Sequence, residues 1–149
     1  MKVGLLHHFT IRATPDKLAM LETFYRNVLG FEPGPRPPFN FPGLWLYHNN
    51  HPVLHIARPR DDEPAPVVGA GVIDHVAFGG EGAADFRAKL VKLGVAFDEQ
   101  NVNNAGYQIF LRDPVGTKLE FNFASSEAPA HVKGEFMGQS MIAPAPVPA

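Results

Sequence analysis

Asp113-Pro114-Val115-Gly116-Thr117-Lys118-Leu119-Glu120-Phe121-Asn122-Phe123 reads as a turn that runs straight into a strand. Proline presets φ for the turn and glycine accepts the positive φ that closes it. From Thr117 the residues alternate. Leu119, Phe121 and Phe123 fall on one face, and Lys118, Glu120 and Asn122 on the other. Glu120 therefore stands mid-strand on the polar side of a strand whose other side is strongly apolar. What it does there depends on partners elsewhere in the chain.

Outward from this stretch, Tyr107 to Arg112 is a second strand, pairing back across the turn. Upstream, Val72-Ile73-Asp74-His75-Val76-Ala77-Phe78 is strand-like, Gly82 to Leu93 is helical, Gly94 closes that helix, and Val95-Ala96-Phe97 opens another strand. The first half has the same order. Leu5 to Ile11 has strand composition, and Thr14-Pro15-Asp16 starts a helix with a hydroxyl to cap, Pro at the first position and an early acid. Leu18, Leu21, Phe24, Tyr25 and Val28 follow at helical spacing up to Gly30. Residues 32–43 carry five prolines and read as a loop or broken edge strand. Leu44 to Tyr47 and Val53 to Ala57 then form a hairpin about Asn49-Asn50, a pair suited to positive φ.

The halves superimpose on one another: His8 meets His75, Leu29-Gly30-Phe31 meets Leu93-Gly94-Val95, and His55 meets Glu120. An internal duplication found before any fold is assumed is the most informative feature of the chain. It predicts an α+β protein of two tandem βαβββ modules, 5–58 and 72–123, joined by a Pro- and acid-rich linker at 59–71. Together these make a single domain over 1–123, and the Pro-rich residues 124–149 read as an extended tail.

Composition bounds the function. At 149 residues with 45% apolar content and 12 Phe, there is material for one real core. A net charge of −2 without a basic run disfavours nucleic acid or an anionic membrane as partner, leaving a small molecule as the expected ligand. The absence of cysteine removes disulfides, thiolate metal sites and Cys nucleophiles, and fits a cytoplasmic setting. No apolar run is long enough to span a membrane, so the chain reads as soluble.

The repeat sets one polar side chain on the first and last strand of each module: His8 and His55, then His75 and Glu120. Each alone is an ordinary strand residue. Four at matching positions with matching parity, three imidazoles and a carboxylate, are good ligands for a divalent transition ion. His7 has the opposite parity, beside Phe9 and Ile11, and reads as packed or capping. Trp45 and Tyr47 read as core residues, with the lining of a pocket as the alternative.

The duplicated βαβββ pattern, the His before an alternating strand in each half, and the ending Asp113-Pro114-x-Gly116-x-Lys118-Leu119-Glu120 resemble the vicinal oxygen chelate superfamily. That superfamily holds glyoxalase I, bleomycin- and fosfomycin-resistance proteins and extradiol dioxygenases. The resemblance covers about residues 5 to 123. It implies that the modules curl into a mixed-sheet cup, helices outside, around one metal held by His8, His75 and Glu120. His55 falls where glyoxalase-like members place a fourth ligand, usually Glu or Gln. Both a ligand role and an acid/base role from behind the ligands stay open for it. Arg12 or Arg112, if turned into the cup, would select an anionic substrate. A homodimer is also implied.

The expected chemistry follows from the donor set. A divalent ion, Fe, Ni, Zn, Mn or Co, would chelate two adjacent substrate oxygens and stabilise an enediolate while Glu120 moves the proton, as in a lyase or isomerase. With Fe(II), ring cleavage of a catechol with His55 as proton relay is the alternative. A metal-free protein that binds a drug or metabolite is the third reading.

Overall fold

The structure, a computed structural model, describes residues 1, 6–59, 73–102 and 105–132. The chain divides into two compact units, residues 1–67 and 68–149. Nearly all of the expected linker, most of the expected tail and the start of the first predicted strand lie outside the described residues.

In the first unit, strand β1 (Phe9–Arg12) is followed by helix α1 (Pro15–Leu29) and strands β2 (Glu32–Gly34), β3 (Gly43–His48) and β4 (His51–Ala57). The sheet order is β1-β4-β3-β2, parallel between β1 and β4 and antiparallel elsewhere. Helix α1 forms on the apolar spacing read from the sequence, and it buries Leu21, Phe24, Tyr25 and Val28. These face Leu54 and Ile56 of β4, which are also fully buried. Thr14 holds the N-cap position but makes no side-chain cap bond; its hydroxyl is engaged by Asp16 instead. The helix stops at Gly30, in the left-handed region at φ 69°, where the Gly30 and Phe31 N–H groups return to the carbonyls of Arg26 and Tyr25. The β3–β4 hairpin turns through Asn49 and Asn50 at φ 49° and 59°, as expected of that pair.

The second unit repeats the plan with β5 (Val76–Gly79), α2 (Ala83–Lys92), β6 (Phe97–Val102), β7 (Gly106–Arg112) and β8 (Lys118–Phe123), in the order β5-β8-β7-β6. Again the first and last strands are parallel. The predicted duplication and the α+β class are thus realised as two open, mixed four-stranded sheets, each with one helix on its apolar face. On α2, Phe86 packs 4.8 Å from Phe121 between ring centroids. The inner faces of β7 and β8 supply the fully buried Tyr107, Ile109, Leu111 and Leu119. Helix and sheet are further tied by Arg87, which donates two bonds to the Glu99 carboxylate at 2.6 and 2.9 Å, and by the Tyr107 hydroxyl, which donates to Glu99 as well. Burial raises the Glu99 pKa, but the bonds from Arg87 and Tyr107 outweigh it and hold this carboxyl below its ordinary range.

Two boundaries differ from expectation. Strands β1 and β5 begin at Phe9 and Val76, so His8 and His75 stand immediately before their strands rather than within them. The chain after β8 does not start as an extended tail: Ser125–Glu127 form a 3₁₀ turn, and the Glu127 carboxylate accepts the Gly82 and Ala83 N–H groups, both at 2.8 Å. Those N–H groups have no partner inside α2, so a carboxylate there replaces a missing cap.

The Asp113 turn is built as its sequence predicts. The Asp113 carboxylate is fully buried and accepts from the Val115 and Thr117 N–H groups at 3.0 and 2.8 Å, while Gly116 sits at φ 91°. At the other end of the same hairpin, Gly106 also has φ 91°, and a Cβ there would lie 2.6 Å from the Phe123 carbonyl oxygen. Gly106→Ala is therefore expected to destabilise the protein by about 2 kcal/mol or more, from positive-φ strain together with a backbone clash. Urea denaturation of the two proteins checks this.

Candidate metal centre

Strand register decides which side chains share a face. In the second unit, Glu120 pairs with Phe110 on one side and Ala77 on the other, and Asn122 pairs with Gln108, which pairs with Gln100. Alternation puts Glu120, Asn122, Gln108 and Gln100 on the face opposite α2. His75 leads into β5 with the same parity. The imidazole Nε2 of His75 lies 2.8 Å from Glu120 Oε2. Glu120 Oε1 accepts a bond from the Gln108 amide at 2.7 Å, and the same amide donates to Asn122 at 3.0 Å. Glu120 is only 7% exposed, so what read as a polar-face carboxylate is a buried one supplied with partners.

Behind His75 stands Asp74. Its Oδ1 lies 2.8 Å from His75 Nδ1 and accepts the Lys118 ammonium at 2.7 Å. A carboxylate on one ring nitrogen fixes the orientation of the imidazole and commits the other nitrogen to whatever it faces, the usual support of a metal-binding histidine. The Lys118 and His75 bonds hold the Asp74 carboxyl down to about 2.

In the first unit, His8 and His55 flank Trp45. The His8 ring centroid is 4.6 Å from the indole and the His55 ring 5.1 Å from it, nearly parallel at 24°, and the two imidazoles are 6.5 Å apart. Register explains this: His55 lies across from Trp45 in β3 and Thr10 in β1. From the Pro-rich loop between β2 and β3, Phe39 stacks 5.8 Å from His55 and Phe41 lies tilted at 6.1 Å from it. Burial, with the charges of Arg36 and His8 added, keeps the His55 pKa below its ordinary 6.5, so the ring is neutral near pH 7. His55 Nε2 is buried and without a hydrogen-bond partner. A neutral imidazole with an unpartnered buried nitrogen fits a metal ligand, and so does a histidine aimed by a carboxylate.

The sequence-predicted donors thus come together as two pairs, His8 with His55 and His75 with Glu120, one in each unit. Among the described residues no group of three or more His, Asp or Glu side chains is placed to hold an ion. His7 is exposed, with Nδ1 at 2.8 Å from His8 Nδ1, its ring edge-on to Trp45 and His51 at 6.4 and 5.2 Å, and its carbonyl bonded to the His51 ring. Arg112 donates to the Gly116 carbonyl of the Asp113 turn. Sequence reasoning passed over Asp74, whose signal was its place beside His75, and Gln108, which shares the parity of the polar face. It had no handle on Arg36, Phe39 and Phe41, whose loop has no periodicity.

No protein-family model matches the chain, and no curated protein matches its sequence. Solved structures do. A protein from Bacillus anthracis assigned to the glyoxalase family is 21% identical with a TM-score of 0.67, over 83% of this chain and 98% of that one. The chain shares its fold with this structure. The fosfomycin resistance protein FosX from Listeria monocytogenes, as a variant in complex with Mn(II) and 1S,2S-dihydroxypropylphosphonic acid, is 17% identical with a TM-score of 0.64, over 83% of this chain and 94% of that one. TnmS3, an antibiotic binding protein from a Streptomyces species, is 20% identical with a TM-score of 0.63, over 84% and 99%. A glyoxalase-family protein, a fosfomycin resistance protein and an antibiotic binding protein therefore share this architecture.

The depressed Asp74 pKa has a definite sign. Folding lowers it below the ordinary 3.8, so its contribution to stability is complete above that pH and is lost as pH falls towards about 2. Asp74→Asn should flatten the dependence of melting temperature on pH between about 4 and 2, and only by a small amount, because the carboxylate is exposed and screened. Thermal melts of both proteins across that range check it.

Proposed function

We propose that the chain is a metal-dependent enzyme of the glyoxalase type, acting on a small substrate with two adjacent oxygens. In this reading the two units form a single domain, and His8, His55, His75 and Glu120 hold one divalent ion. Assembly as a homodimer belongs to the same proposal. The observation that carries it is His75 set between two carboxylates, Asp74 at Nδ1 and Glu120 at Nε2, each 2.8 Å away. A carboxylate behind one ring nitrogen is the usual support of a metal-binding histidine. When bound, the ion supplies Lewis acidity to the substrate oxygens.

The side chains then divide the work. Asp74 orients His75. Gln108 holds Glu120 through Oε1, and Oε2, which His75 Nε2 faces at 2.8 Å, is the atom that would take a proton from a substrate carbon beside a carbonyl once that contact opens. His55, neutral and desolvated, serves as the fourth donor or, with Glu120, as an acid/base. A second reading, a metal-free binder of an aromatic drug or metabolite, is favoured by the packing of Phe39, Phe41 and Trp45 about His55.

Elemental analysis of protein purified without chelator separates these readings, because the first expects one divalent ion per chain and the second none. Iron with O₂ consumption on a catechol would redirect the assignment to a ring-cleaving dioxygenase. Glu120→Gln, which removes a charged donor, should weaken zinc binding by more than about tenfold. Asp74→Asn, which removes only the orienting carboxylate, should weaken it by roughly 10- to 100-fold. Isothermal titration with zinc reads both. Unchanged affinity in the two variants would exclude His75 and Glu120 as the metal pair.

A further inference from the structure

Among the described residues, three buried side-chain nitrogens lack a hydrogen-bond partner: His55 Nε2, Trp45 Nε1 and Arg36 Nε. All three belong to one nest about the His55 ring. The Arg36 guanidinium lies over both Phe39 and Phe41, 5.1 Å from each centroid, and donates through Nη2 to the Phe41 carbonyl at 2.5 Å. Those two rings and Trp45 surround His55. Native proteins leave very few buried polar groups unpaired, so three gathered around one ring are out of proportion.

If His55 Nε2 is the atom that faces the ion, two remain, and their chemistry is one-sided. Trp45 Nε1 and Arg36 Nε carry N–H groups that only donate. The group that would satisfy them is an acceptor, and the positive charge of Arg36, which forms no ion pair with a carboxylate among the described residues, selects an anionic one. His55 and Trp45 are 7% and 9% exposed, so the unpaired nitrogens are walled in by protein. The wall on one side is different. Phe39 is 41% exposed on the loop between β2 and β3, yet its ring lies 26° from parallel over His55.

We infer that this nest binds a planar organic acid, its ring replacing Phe39 over His55 and its carboxylate accepting from Arg36 and Trp45. The inference names the substrate class of the site proposed above and rests on that reading for its chemistry, although binding of the acid does not itself require the ion. Trp45 is the only tryptophan of the chain, so its fluorescence reports on this nest alone.

The test titrates the full-length protein, freed of metal with chelator, with benzoate and with its neutral isostere benzamide. Benzoate should perturb Trp45 emission saturably and bind at least about tenfold more tightly than benzamide, the charge-assisted bonds being worth a decade or more. Arg36→Gln should abolish that preference while zinc uptake stays at the wild-type level. Equal affinities for the two probes, or no response to either, would overturn the inference, and this wild-type comparison stands even if the variant folds poorly. Zinc titration of the same preparation separates the claims. Zinc uptake without benzoate preference defeats the organic acid alone, and benzoate preference without zinc uptake defeats the metal-dependent reading alone.

Discussion

The buried carboxylate of Asp113, accepting two backbone N–H groups across its own turn, fixes the register of β7 against β8, and most of the second unit depends on that register. Side chains alternate along a strand with period two, so a slip of a single residue would exchange the faces. Leu119, Phe121 and Phe123 would leave the helix, and Glu120 would enter the apolar layer beneath α2, where nothing could satisfy it. With the register as it stands, Glu120 meets Gln108 and His75 on one face while the phenylalanines meet Phe86 on the other. The turn, the core and the candidate site are thus one constraint expressed three times.

Each unit keeps its chemistry on the face its helix leaves uncovered, and the two faces are furnished differently. In the second unit the polar groups satisfy one another in a line from Lys118 through Asp74, His75 and Glu120 to Gln108 and Asn122. In the first unit aromatic rings replace amides, and polar atoms are left unpaired. Since a buried group without a partner costs free energy that a paired one does not, the first unit carries a cost that the second, among the described residues, does not.

The Glu99 cluster shows the opposite use of a half-buried charge. Glu99 lies on the apolar side of β6, where Arg87 and Tyr107 meet it, and it holds α2 to its sheet with no path to the donors on the far face. Glu127 likewise serves the start of α2. Both are carboxylates whose role is settled by what packs around them. Sequence type alone would not have separated them from Glu120.

What the sequence by itself determined was periodic or local: the duplicated order of elements, the Gly30 stop and the Asn49-Asn50 turn, the Asp113 turn, and the parity that sets His55 and Glu120 apart from their apolar neighbours. These are legible because helix and strand periods, and the φ preferences of glycine, asparagine and proline, act over a few residues. Only the tertiary structure decided that Glu120 is buried and partnered, that Asp74 backs His75, and that a proline-rich loop lays Phe39, Phe41 and Arg36 over His55. Apart from Asp74, which neighbours His75, those contacts join residues far apart in the chain, so packing, and not local preference, chose them.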